Sequence, residues 1–165
     1  MFFFIPLAIK KNQMYQVLIV LHSSLRWLVL ISLVVSLYRA CRGYYGGAKF
    51  SKADNAIRHW TATIAHIQLM VGMTLYFQSP LTRFFMKDFH NAKERADLLF
   101  FGLIHGLLML LAIAVITIGS AVAKRRLADK EKFGAMLAWY LVALIVIFIA
   151  IPWPFSPLAG RPYFR

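Results

Sequence analysis

Residues 14–37 read MYQVLIVLHSSLRWLVLISLVVSL, and this stretch decides the fold. As an α-helix rising 1.5 Å per residue it is about 36 Å long, enough to cross the roughly 30 Å hydrocarbon core of a bilayer. Three more stretches of the same kind lie at 60–77, 96–122 and 135–151. Lipid offers no hydrogen-bond partners, so apolar spans of this length are helical, with every backbone group bonded inside the segment. Composition agrees: 61% of the 165 residues are hydrophobic and mean hydropathy is +0.66, against about 45–50% apolar residues in soluble domains. Four spans and three short loops use nearly the whole chain. They predict an all-α, integral membrane four-helix bundle, up-down-up-down, in one domain over 14–155.

The flanks are short. Residues 1–13, MFFFIPLAIKKNQ, are an apolar run followed by Lys10 and Lys11. A signal peptide carries its charge first, and the run is too short to span. It is expected to lie in the membrane interface as an extension, with Met14 as an alternative start. Pro152 and Pro154 end the fourth helix, because proline cannot continue one, and residues 156–165 form a C-terminal tail.

The formal charge of +13 would suggest nucleic acid in a soluble protein. Here the cations sit at span ends, where they meet lipid phosphates and set topology, so nucleic acid is excluded as a partner and the bilayer takes its place. Loop one carries Arg39, Arg42, Lys49, Lys52 and Arg58, and loop three carries Lys124, Arg125, Arg126, Lys130 and Lys132. These ten face eight on the other side: Lys10, Lys11, Arg83, Lys87, Lys93, Arg95, Arg161 and Arg165. The positive-inside rule makes loops one and three cytoplasmic and puts both termini outside. Trp60, Trp139 and Tyr140 near one face and Tyr76, Phe77, Phe84, Phe85, Trp153 and Phe155 near the other form the expected aromatic belts. The single cysteine, Cys41, rules out an internal disulfide and the paired-cysteine metal motifs.

Ionisable residues inside a span are costly and by default point to function. Three histidines fall in three different spans: His22, His66 and His105. By the helical rise they lie roughly 12, 16 and 13 Å below the outer surface, close to one level. Arg26 follows His22 by one turn, and apart from Asp97 in the opening turn of the third span no acidic residue lies in the spans. His105 stands in Gly102-Leu-Ile-His-Gly106, a small-xxx-small pattern that suits helix packing and also lets a flat macrocycle approach the backbone. Haem iron takes axial imidazoles, with its propionates as anions for Arg26; a quinone carbonyl is another partner for that arginine. A three-histidine copper or zinc site on His22, His66 and His105, and plain interhelical hydrogen bonding, are the alternatives. Gln68 faces about 200° away from His66 and is expected to meet a neighbouring helix or a partner. His59 reads as an interfacial residue and His90 as a solvated one.

The segments LHSSLRWLVL (21–30), HIQLMVGMTLYFQSP (66–80), HGLLMLLAIAVITIG (105–119) and IPWPF (151–155) touch all four spans in order. In them the chain resembles small four-span bacterial membrane proteins of the Bacteroidetes type loosely labelled "cytochrome B", which are similar to cytochrome b561. The resemblance implies a b-type haem held by His22, His66 and His105, in a bacterial cytoplasmic membrane. Such proteins often place an acidic residue before the third histidine, where this chain has Ile104, which puts a proton-linked role in doubt. Their usual start, just before the first histidine motif, corresponds to Met14. The expected function is a membrane b-type cytochrome carrying electrons between quinol and an outer-face acceptor through a bis-histidine haem, with His66 and either His22 or His105 as the ligand pair and Arg26 as the anion partner; any enzymatic role would be that of an electron-transfer component. His22, His66, His105, Arg26, Gly102 and Gly106 are its candidate haem-binding residues, and a homodimer through the Gly102/Gly106 face is open to it. The alternative is a non-catalytic subunit of a larger respiratory or transport complex.

Overall fold

The computed structural model describes residues 4–156 and 160–162, with side chains from residue 13 onward. The described chain is all helical. In order the helices are α1 (Phe4–Gly46), α2 (Lys52–Gln78), α3 (Pro80–Lys87), α4 (Phe89–Ala92), α5 (Ala96–Leu99), a π-helical segment (Phe100–Ile104), α6 (His105–Arg125) and α7 (Asp129–Ala150). Three stretches are long and apolar enough to cross a membrane: Gln13–Gly46, Ala96–Arg125 and Asp129–Ala150. The protein is thus a membrane protein by its helices. Val17, Ile31, Val34, Leu107 and Ile145, each more than half exposed, line their outer faces. Helices apolar all round suit lipid, not water.

The long helices pack in pairs: α6 on α7 and α2, and α1 on α2 and α7. Their shared core holds Leu33, Ala65, Ala112, Ile116, Met136, Tyr140 and Ala143, all at 1% exposure or less. Lipid tails are as apolar as leucine, so packing and polar bonds must hold such helices together. Ser36 and Thr61 hydroxyls meet at 2.7 Å between α1 and α2. Arg58 on α2 is buried and donates to the Ser120 carbonyl on α6 at 3.0 Å, while the Tyr140 hydroxyl of α7 donates to the Arg58 carbonyl at 3.0 Å.

Several boundaries differ from those expected. The interfacial extension is not a separate element: α1 begins at Phe4 and runs unbroken past residue 13, while residues 1–3 lie outside the described chain. The second helix starts eight residues before the expected span, at Lys52. Its length of 27 residues would reach across a bilayer, but Lys52, Asp54, Arg58, His59, His66 and Gln68 dilute its apolarity. The third span is broken by the π segment. Of the tail, only 156 and 160–162 are described, and they are not helical.

Local chemistry sets the ends. Gly47 takes φ +64°, and the Ala48 N–H returns to the Gly43 carbonyl at 3.3 Å, a left-handed cap that closes α1. Ser51 caps α2 in a reciprocal box with Asp54. The same carboxylate receives Arg39 of α1, Nη2 at 2.7 Å and Nε at 2.8 Å, and is itself 2% exposed. Burial pushes the Asp54 carboxyl up, but bonds from the Ser51 hydroxyl and N–H and from Arg39 outweigh it and hold it below the usual carboxylate range.

A group with a lowered folded pKa contributes stability above the unfolded value, about 3.9 for aspartate, and loses it as pH falls through the folded value. Asp54→Ala is therefore expected to cost about 2 kcal/mol at neutral pH, the scale of a hydrogen bond to a charged group plus a helix cap. The difference should shrink below about pH 4. Thermal melts of both proteins in detergent at pH 7 and pH 3.5 check this; a gap that is equal at both would refute it.

Candidate functional site

His22 lies on α1 and His105 is the first residue of α6. Their rings approach to 6.3 Å between centroids, at 70° to one another. Each is brought there by a local feature. The His105 N–H bonds to the Phe100 carbonyl five residues back, so the π segment inserts one residue relative to an α-helix. That rotates the remainder of the span by about 100°. On the facing helix Gly72 leaves room for His22: a Cβ built there would stand 3.1 Å from the His22 Cε1.

The hydrogen bonds orient both rings. His105 Nδ1 is 2.8 Å from the carbonyl of Ala150, the last residue of α7. A carbonyl only accepts, so Nδ1 carries the proton and the neutral ring keeps its lone pair on Nε2. Terminal helix carbonyls lack an intrahelical partner, and here the imidazole supplies one. Gln68 of α2 donates from Nε2 to the His22 carbonyl at 3.0 Å, and the same nitrogen lies 3.2 Å from His22 Nδ1. The Gln68 Oε1 is buried without a hydrogen-bond partner.

Between these groups is a cavity of about 210 Å³. Its polar lining includes His22, His105, Gln68, Arg26 and Arg161, and Gly72 and Gly106 form part of its wall. The Arg161 guanidinium stands 4.9 Å above the Phe101 ring, and that of Arg26 is 5.6 Å from the Trp27 ring. No aspartate or glutamate lines the cavity. It therefore offers two imidazoles, two cations and an amide, with hydroxyls from Tyr15, Ser23, Tyr76, Ser79 and Thr82, in a mostly apolar surround, which suits a group that is apolar, anionic at its edge and ligated by nitrogen.

The expected residues do not all converge. His22, His105, Arg26 and Gly106 do. His66 does not: it is exposed, its Nδ1 bonds the Ala62 carbonyl one turn back at 2.7 Å, and its Nε2 is 3.3 Å from the Thr117 hydroxyl on α6. The cause is helical geometry, for Gln68, two residues on, is the one that faces the cavity. Accordingly no group of three or more His, Cys, Asp or Glu among the described residues is placed to hold a metal ion. Gly102 also stands apart. The Phe85 ring fills the space where its Cβ would be, so it seats α3 and presents no face to a macrocycle or a second copy. Its carbonyl accepts the Tyr76 hydroxyl at 2.6 Å. Gly72 and Arg161 are cavity residues that the pattern of span histidines did not reveal. His59 sits against Trp60, ring centroids 6.0 Å apart, and is exposed.

No family model matches the chain, no curated protein matches it, and no solved structure matches it.

Proposed function

We propose that the chain is a four-span membrane b-type cytochrome whose haem is held by His22 and His105. The observation that carries this reading is the pair of imidazoles from two helices, 6.3 Å apart, on a cavity that also receives two arginines and no acid. The residues fit the group. His105 donates its Nδ1 proton to Ala150, the outer bond that fixes tautomer and ring orientation in metal-ligating histidines. Arg26 and Arg161 would hold propionate carboxylates, and Gly72 and Gly106 keep side chains off the walls. The volume, about 210 Å³, is below the roughly 300–1,000 Å³ of pockets that engulf drug-sized ligands, so a macrocycle would keep part of its surface outside. Haem bound there would supply one-electron transfer.

In this reading α2 makes a fourth crossing, giving an up-down-up-down bundle in a bacterial cytoplasmic membrane. Ten loop cations against eight on the other side support α1–α2 and α6–α7 connections inside and both termini outside, by the positive-inside rule. Quinol is the donor class that a membrane carrier of this kind meets. The second reading, a colourless subunit of a larger complex, is favoured by one observation: Gln68, Ala150 and Thr117 already give each histidine a polar neighbour.

The test is the absorption of the detergent-purified protein, oxidised and dithionite-reduced, with a pyridine haemochrome assay. A sharp reduced b-type α-band at about one haem per chain is expected. A folded, colourless protein, after expression with ample haem, would overturn the cytochrome and favour the subunit.

A further inference from the structure

A second cavity, of about 510 Å³ and open to the surface, lies at the other end of the long helices. Lys52, Lys124, Lys132 and Asn55 line it, with Phe50 and Ala123 as apolar surface, and no aspartate or glutamate does. The three lysines come from three places in the chain. Lys52 opens α2, Lys124 is in the last turn of α6, and Lys132 is in the first turn of α7. Two of these helices are membrane-capable and end here, so the cavity sits where apolar segments leave the hydrocarbon and headgroups begin.

The three lysines are donors, while Ser51, which also lines the space, has its hydroxyl engaged with Asp54 at 2.6 Å. Lys52 and Lys124 are exposed and have no carboxylate partner among the described residues. The Lys132 ammonium is 3.3 Å from Asp129 and 5.5 Å from the centre of the Phe50 ring. Asn55 Oδ1 accepts Arg58 Nη2 at 2.8 Å and Nε at 3.2 Å, so the Asn55 oxygen is engaged by a cation. The nearest buried acid, Asp54, is taken by Ser51 and Arg39. Below lies an apolar floor, Phe50 against Phe133 with centroids 4.9 Å apart.

We propose that this cavity binds a phosphate group. Three lysines and an asparagine lining one space match an anion with several oxygens, since ammonium-to-oxyanion bonds are the strong kind. Basic pockets between membrane helices are a known setting for anionic headgroups. The phosphate belongs to a lipid headgroup, as the depth and the Phe50 floor favour, or to a free solute. The site does not depend on haem.

The full-length protein is reconstituted in nanodiscs of phosphatidylcholine containing phosphatidylglycerol, and retained phosphatidylglycerol is counted by native mass spectrometry. K52Q/K124Q/K132Q removes the cavity cations. R125Q/R126Q/K130Q removes the same charge from residues that do not line it. The first variant should lose affinity by about a hundredfold, given roughly fivefold per surface lysine, and the second should keep it. Displacement by millimolar inorganic phosphate, through the same lysines, would make free phosphate the source; retention against it would make it the lipid. Equal losses in both variants, or none in either, would overturn the site. Should the triple variant fail to fold, K124Q alone, at an exposed position, should lose severalfold, and an unchanged K124Q would overturn the proposal equally.

Discussion

His105→Ala is expected to abolish the reduced b-type spectrum completely, His22→Ala to do the same, and His66→Ala to leave it intact. His22 and His105, which would hold the haem, lie 6.3 Å apart between ring centroids, and either truncation removes one nitrogen donor from the cavity. The fold should survive. His105 contributes one interhelical bond, to Ala150 at 2.8 Å, and such bonds in membrane bundles are worth on the order of 1 kcal/mol. His66 serves as the internal control because it is also a span histidine, bonded to Ala62 and beside Thr117, but outside the cavity. Spectra and far-ultraviolet circular dichroism on the same three preparations check the result. Loss of the spectrum in His66→Ala with retention in His105→Ala would sink the pair. Gln68→Leu adds a finer reading: it removes the 3.0 Å bond to the His22 carbonyl and should shift the haem midpoint potential without emptying the site.

The helices were legible in the sequence because long apolar runs admit few alternatives in lipid. The spans at 14–37 and 96–122 fall inside two of the membrane-capable stretches, and 135–151 matches the third but for its last residue, since that stretch ends at Ala150. The helix boundaries were less legible. Hydropathy marks where lipid contact ends, while α2 continues to Lys52 because the Ser51–Asp54 box and Arg39 hold its polar first turns. The nearness of His22 and His105 was readable as common depth, but depth does not say which way a side chain points. His66 is at a similar level and faces elsewhere. The one clue to facing was Gln68, about 200° around the helix from His66, and it is this residue that meets His22. The π segment was not readable, since Gly102 weakens a helix by about 1 kcal/mol but nothing in FFGLI specifies a π turn over an α turn. Gly102 illustrates the converse. A small-xxx-small pattern suggests a helix interface, yet the space it leaves is filled by Phe85 from a short helix that hydropathy does not mark.

Gly119→Val is expected to destabilise the protein by about 3 kcal/mol, the upper end of the usual overpacking cost. A Cβ built on Gly119 would overlap Trp139 Cβ and stand 2.8 Å from its Cγ. The first of these atoms is fixed to the α7 backbone, so no rotamer of Trp139 relieves the clash and the two helices must part. Their separation would loosen Ile116 and Ala123 on α6 and Met136 and Tyr140 on α7, each 0% exposed. It would also strain the Arg58 bond to the Ser120 carbonyl, 3.0 Å and one residue along. Gly106→Ala separates this effect from helix propensity. Its Cβ meets nothing closer than Tyr76 Cε2 at 3.9 Å, an ordinary contact, and alanine favours a helix over glycine by about 1 kcal/mol. Compared without haem, that variant should unfold no earlier than the parent. Equilibrium unfolding in mixed micelles, followed by tryptophan fluorescence and circular dichroism, measures both; a Gly119→Val protein as stable as the parent would mean that α6 and α7 do not approach each other at this residue.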